Sequence, residues 1–128
     1  MKIINEFTSN IFEDEYEQEA IIRIQKFAKI VEKYGGIPAV GFSGGKDSQV
    51  VYDLCLRSGI KFNAYFNHSF ESNITLKFIK QHYPDVIKRR CYKVGFIENI
   101  HKCHNSLLPT SEMAYCCIDY KHNPLYVD

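Results

Sequence analysis

The sequence predicts an α/β domain organised on a small parallel sheet, and three observations carry that prediction. Short apolar runs of strand type at residues 38–42, 61–67 and within 86–94 alternate with segments of helical periodicity. Strand–helix–strand–helix–strand spacing leaves room for right-handed crossovers between parallel strands. A glycine-rich hexapeptide, Ser43-Gly44-Gly45-Lys46-Asp47-Ser48, separates the first strand from the helix after it. Ligands of open α/β sheets bind beyond the carboxyl ends of the strands, which is where this hexapeptide falls.

Each element has its own justification. Residues 1–12 are of mixed character and predict a loosely ordered arm. Residues 13–34 predict a leading helix, because Ala20, Ile24, Phe27, Ala28, Val31 and Tyr34 recur at three- and four-residue steps as one apolar face. Acidic side chains crowd its start, and Arg23, Lys26, Lys29 and Lys33 follow, which suits the helix dipole. Gly35-Gly36 supplies the stop. This helix is expected to pack on the sheet, with a dimer contact as the alternative. Residues 38–42 form the first strand. Residues 47–58 predict a helix with Val50, Val51, Leu54 and Cys55 inward, ended by Gly59. In the second strand, residues 61–67, Phe62, Ala64 and Phe66 alternate with Asn63, Tyr65 and Asn67, so one face is expected to be less dry. Ser72 or Asn73 caps a helix that runs to Tyr83 and is ended by Pro84. The third strand, within residues 86–94, carries Lys88, Arg89, Arg90 and Lys93. Residues 96–103 predict a helix with Phe96, Ile97 and Ile100 inward, and Thr110 or Ser111 caps a last helical segment from about Glu112 to Lys121.

Composition sets the outer bounds. At 128 residues the chain is expected to form a single domain, residues 1–128. An apolar fraction of 45% and a charged fraction of 24% are those of an ordinary globular domain. A net charge of +1 makes no global case for nucleic acid or a membrane surface. The charge is nevertheless uneven: residues 1–20 hold one basic and six acidic side chains, and the remainder holds 15 basic and nine acidic. The part with the glycine-rich loop is therefore mildly basic, as an anionic ligand favours. The first twenty residues lack an apolar signal region and no run reaches a membrane span, so a cytoplasmic protein without a membrane partner is expected. Five cysteines, an odd number, are read as thiols rather than a disulfide framework.

The hexapeptide carries the chemistry. Helix N-termini present unpaired N–H groups and partial positive charge, and glycines let a phosphate approach them. Lys46 adds a cation, and Ser43 and Ser48 add hydroxyl donors. The spacing is not that of the G-x-x-x-x-G-K-[ST] loop, because Gly44 and Gly45 are adjacent and Asp47 follows the lysine. It resembles the PP-loop, S-G-G-x-D-S, of the adenine-nucleotide hydrolase superfamily, which includes N-type ATP pyrophosphatases, tRNA-thiolation enzymes and phosphoadenosine-phosphosulfate (PAPS) reductases.

The resemblance extends beyond the loop. Asn67-His68-Ser69 after the second strand, and Phe78-Ile79-Lys80-Gln81-His82-Tyr83-Pro84 after it, are similar to a bacterial and mobile-element branch of the PAPS reductase family. Residues 108–121, with Pro109-Thr110 and Cys116-Cys117, resemble that branch's P-T-R-x-x-R-W-C-C-x-x-L-K segment. Together these cover about residues 37–121. The resemblance implies a three-layer α/β/α fold of the adenine nucleotide alpha-hydrolase-like type, abbreviated at its C-terminal side. It implies PAPS or ATP as the adenine nucleotide bound, with Mg²⁺ as a companion near Asp47 in ATP-using relatives. The departures are specific. Ser111 and Ala114 stand where the segment has arginines, and Tyr115 stands where it has tryptophan. Serine cannot reproduce the bidentate contacts of arginine to phosphate or sulfate. The family's E-C-G-L-H nucleophile segment and the later C-x-x-C of its iron–sulfur variants are not in these 128 residues.

Roles follow residue by residue, with the plainer reading beside each. Lys46 neutralises an anionic group, together with Ser43, Gly44, Gly45 and Ser48, or is an exposed helix-start lysine. Asp47 serves the ligand site or caps the helix. Asn67, His68 and Ser69 contact adenine or ribose, or supply polar turn chemistry. Lys88, Arg89 and Arg90 are a solvated edge, or attract an anion or nucleic acid. Cys116 and Cys117 are the candidate nucleophiles, alongside Lys46 as the electrostatic catalyst, or they pack as small side chains. A metal site joining them to His101, Cys103 and His104 fits no standard zinc spacing, and neither zinc nor an iron–sulfur cluster is expected. Cys55 is read as a core residue. Three functions compete: PAPS reductase or sulfur-transfer chemistry on an adenine nucleotide, a non-catalytic nucleotide-binding module or oligomer half-site, and a subunit of a nucleic-acid sulfur-modification complex. In the first two, a second copy or a partner chain completes the abbreviated site.

Overall fold

The computed structural model of the chain describes residues 2–69, 71–90 and 95–122, with side chains from 15 to 120. Its elements run α1 (Lys2–Lys33), β1 (Ala39–Gly41), α2 (Lys46–Arg57), β2 (Asn63–His68), α3 (Asn73–His82), β3 (Ile87–Arg90), α4 (Phe96–Cys103) and α5 (Tyr115–Cys117), followed by a wide π-type turn, Ile118–His122. The sheet has three parallel strands in the order β1-β2-β3, with Tyr65 opposite Ile87 and Asn67 opposite Arg89. The α/β class is therefore observed. Residues 91–94, including Lys93 and Cys91, lie outside the described residues. Among the described residues, no helix is long and apolar enough to cross a membrane.

The chain forms two compact units that interleave in sequence. One holds the residues up to Val40 together with Gly45–Ala64, and the other holds Gly41–Gly44 together with the described residues from Tyr65 onward.

In the first unit α1 dominates. It starts at Lys2 rather than Glu13, so the expected loose arm is instead helical from Lys2. Residues 2–12 contain neither glycine nor proline, and extending an existing helix costs far less than nucleating one. The helix ends in a Schellman arrangement: Gly36 N–H bonds Val31 O at 3.1 Å, Gly35 N–H bonds Glu32 O at 2.9 Å, and Gly35 takes φ +75°. Helices α1 and α2 pack together. Gln25 Nε2 donates to Ser58 O at 3.0 Å, and Arg57 pairs with Glu17. The single apolar face expected on α1 is two stripes. Ala28 is buried and Ile24 and Val31 are half-buried, whereas Phe27 and Tyr34 are exposed, because they sit at the margin of a stripe that only 3.6-residue periodicity can centre. Helix α2 buries Tyr52 and Cys55, and the Tyr52 ring meets Phe62 edge-on at 5.5 Å. Val50 and Val51 are exposed, contrary to expectation, because the buried line runs through Ser48, Tyr52 and Cys55 at helical steps.

In the second unit Phe66 and Ile79 are fully buried, and Phe42, Val86, Ile100 and Tyr120 are buried too. Along β2 the burial alternates as expected: Ala64 and Phe66 are buried, while Asn63, Tyr65 and Asn67 are half-buried. Ser72 caps α3, accepting the Thr75 N–H at 3.2 Å, and the helix stops at His82 before Tyr83 and Pro84. Among the described residues, strand β3 is an edge strand; it carries Lys88, Arg89 and Arg90, and such charge blunts an otherwise adhesive edge. In α4, Ile100 is buried but Ile97 is exposed, and the fully buried position is taken by Asn99. The exchange is tolerable because Asn99 Nδ2 donates to buried Asp119. The last helix expected, Glu112 to Lys121, is reduced to α5 and the π-type turn. Thr110 and Met113 close a local turn, Met113 N–H to Thr110 Oγ1 at 3.1 Å and Thr110 N–H to Met113 O at 3.3 Å, which holds residues 111–113 out of the helix.

Candidate functional site

The hexapeptide occupies the junction that the sequence assigned to it, between the end of β1 and the start of α2. Gly44 has φ +82°, a conformation that side-chain-bearing residues adopt at a cost. A Cβ there would also stand 3.2 Å from Ile79 Cδ1 and 3.3 Å from Ile79 Cγ1. Glycine at position 44 is therefore required by the backbone and by close packing on the core. Ser43 is exposed.

Gly45 takes an extended conformation at the N-cap of α2. The Gln49 N–H reaches Gly45 O at 3.1 Å, which is the first closed turn. Ser48 Oγ donates to the same carbonyl at 2.9 Å, so the hydroxyl expected to face an anion is turned back on its own helix. Lys46 and Asp47 are exposed in the first turn.

The second unit contains an open cavity of about 260 Å³ lined by Gly41, Phe42, Ser43, Tyr65, Phe66, Asn67 and Glu71. Its floor is the zipped ends of two strands, with Phe42 N–H donating to Tyr65 O at 2.8 Å. Phe42 is anchored from behind by the Tyr83 ring at 4.6 Å. The Arg89 guanidinium lies over the Tyr65 ring, 4.1 Å from its centroid, which brings the basic run of β3 to one wall residue. Of the predicted binding residues, Ser43 and Asn67 stand in this wall. Ser69 does so indirectly: its Oγ donates to Glu71 Oε1 at 3.2 Å. His68 ends β2 opposite Arg90, its ring 6.3 Å from that of Phe66. Glu71 was not singled out by sequence reasoning. The only hint was an acidic side chain two residues beyond a polar strand end.

Cys116 and Cys117 are not in that wall. Cys116 is half-buried and Cys117 exposed on α5. His104 faces Asp119, with Nε2 3.3 Å from Oδ2, and Asn99 donates to the same oxygen at 3.2 Å. The His104 ring stacks on Tyr115 at 3.5 Å between centroids, 11° from parallel. Tyr115 donates its hydroxyl to Leu107 O at 2.5 Å, while burial and then the neighbouring Cys116 and Asp119 push that hydroxyl above the usual phenol range. His101 turns to Ser106, 2.9 Å from its Oγ. The histidines that a metal site would have joined to the cysteines are engaged by Asp119 and Ser106. Among the described residues, no three His, Cys, Asp or Glu side chains are placed to hold a metal ion. Asn99 and Asp119 were missed in the sequence. The available signal was an amide on the apolar side of α4, one turn from Phe96 and beside Ile100.

No family model, curated protein or solved structure matches the chain.

Proposed function

We propose that the chain is a PAPS reductase-like member of the PP-loop superfamily that binds an adenine nucleotide through residues 43–48. The observation that carries this reading is the local architecture of the hexapeptide: a left-handed Gly44 after β1, and an extended Gly45 N-cap that opens α2 directly into Lys46. Such a helix start takes the phosphosulfate or pyrophosphate end, with Lys46 as its cation. The cavity at Ser43 and Asn67 offers aromatic and amide groups suited to base or ribose. The finer fold assignment, a three-layer α/β/α domain of the adenine nucleotide alpha-hydrolase type, belongs to the same proposal, as does a cytoplasmic setting.

For turnover, the supported contribution is electrostatic: loop amides and Lys46 stabilise charge that develops on the transferred group. A second reading, capture without turnover, is favoured by two observations. Neither Cys116 nor Cys117 lines the cavity, and Ser111 and Ala114 take the places of anion-holding arginines.

Calorimetry with PAPS, ATP and pyrophosphate, with and without Mg²⁺, tests the site. Binding that weakens at least about tenfold in Lys46→Ala, roughly 1.4 kcal/mol, is the expected outcome. A thiol-dependent sulfite-release assay on the same samples separates turnover from capture. Absence of binding to all three ligands would overturn the proposal.

A further inference from the structure

The face of α1 beside its α2-facing stripe is not an ordinary solvated surface. Tyr16, Phe27, Ile30 and Tyr34 are 71%, 58%, 58% and 82% exposed. With half-buried Ala20 and exposed Arg23 they follow one another at alternating four- and three-residue steps: 16, 20, 23, 27, 30, 34. That is the seam of a coiled coil, in which apolar positions recur every 3.5 residues on average. A soluble helix needs one such stripe for its own core, and α1 already uses Ile24, Ala28 and Val31 against α2. A second seam of large side chains marks an interaction surface.

We infer that this seam pairs with the same seam of a second copy of the chain, the two α1 helices running antiparallel. Charge sets both the partner and the direction. The open flank of the seam carries exposed Glu15 and Glu19 toward the N-terminal side, and exposed Lys26 and Lys33 toward the C-terminal side. In an antiparallel pair this flank faces the identical flank of the second copy, so Glu15 and Glu19 of each helix meet Lys33 of the other, with Lys26 beside the two-fold axis. A parallel pair would set it against the opposite flank, which holds Glu17, Ile24 and Val31 and is engaged with α2. Arg23 interrupts the seam at its centre, where a polar residue fixes register at some cost in affinity. Its guanidinium is held by Glu19 at 2.5 Å, which offsets repulsion between the two copies. The contact is isologous, as two-fold dimers require.

Sedimentation equilibrium on the full chain, from micromolar to sub-millimolar concentration, tests this. The expected result is a monomer–dimer equilibrium. Phe27→Glu with Ile30→Glu weakens it at least about tenfold, since desolvated aromatic anchors dominate such contacts. These positions are exposed, and unchanged helicity by circular dichroism guards against misfolding. Lys26→Glu with Lys33→Glu makes the flank wholly acidic and weakens association about threefold to tenfold, and adding Glu15→Lys with Glu19→Lys restores it. A chain that stays monomeric at every concentration overturns the inference and assigns the seam to a different partner. A dimer indifferent to both sets of substitutions overturns it as well. Nucleotide plays no part in this readout, so it stands or falls separately from the proposed ligand site.

Discussion

Gly44 shows how a motif residue can be demanded twice. Its φ of +82° disfavours any side chain, and a Cβ would crowd Ile79, which is fully buried. Gly44→Ala is therefore expected to lower stability by about 1–2 kcal/mol with no ligand present, because the left-handed conformation alone costs that much. Urea unfolding of the unliganded protein measures it, and an unchanged midpoint would refer the glycine to ligand approach alone. Cys55 makes a second prediction at this scale. Burial pushes its thiol above the ordinary value of 9.0, so the folded chain holds that proton more tightly than the unfolded chain. Its contribution to stability is complete below about pH 9 and is lost as the pH rises through the raised folded value. Thermal melts from pH 7 to alkaline pH, compared between the wild type and Cys55→Ala, should show a steeper alkaline decline in the wild type. The same burial predicts that iodoacetamide labels exposed Cys103 and Cys117 before Cys55.

At the scale of elements, caps decide where helices begin and end. Ser72 accepts the Thr75 N–H on α3, so Ser72→Ala should cost about 1 kcal/mol, read as a lower urea midpoint at unchanged slope. Caps of this kind were legible in the sequence, and so were the strands, because Ser72, Gly35 and the 64/66 alternation act through nearest neighbours. What escaped was set by tertiary partners. The face of α1 merged two stripes because 24, 28 and 31 and 27 and 34 are equally apolar, and only the position of α2 tells them apart. Ile97 lost its expected place to Asn99 for a similar reason: Asp119, twenty residues on, is the acceptor that makes a buried amide tolerable. The glycine-rich turn between β1 and α2 was legible at residues 43–48, whose order and spacing are local. Glu71 was not, since a lone acidic side chain beyond a strand end carries no local pattern, and only its bond from Ser69 and its place in the cavity wall single it out.

For the molecule as a whole, the interleaving of the two units has a consequence for folding. Residues 41–44 belong with the unit that resumes at Tyr65, although unit-one sequence flanks them on both sides. Within that second unit they supply Phe42, which is buried, bonded through its N–H to Tyr65 O and set against the Tyr83 ring. They also supply Gly44, on which Ile79 rests. A fragment beginning at residue 61 retains β2, α3, β3 and α4 but lacks these groups. Burying one phenylalanine is worth about 1.5–3 kcal/mol. A core in a unit this small rarely supplies more than about 3–5 kcal/mol in total. The fragment should therefore show no cooperative thermal transition by circular dichroism. In the full chain, Phe42→Ala should cost about 3–5 kcal/mol, the range for emptying a buried phenylalanine site. Adding a peptide of residues 37–44 to the fragment supplies the missing strand and should recover a transition that depends on peptide concentration. A fragment that melts cooperatively by itself would show that the second unit needs nothing from the loop, leaving residues 41–44 free to answer to the ligand alone.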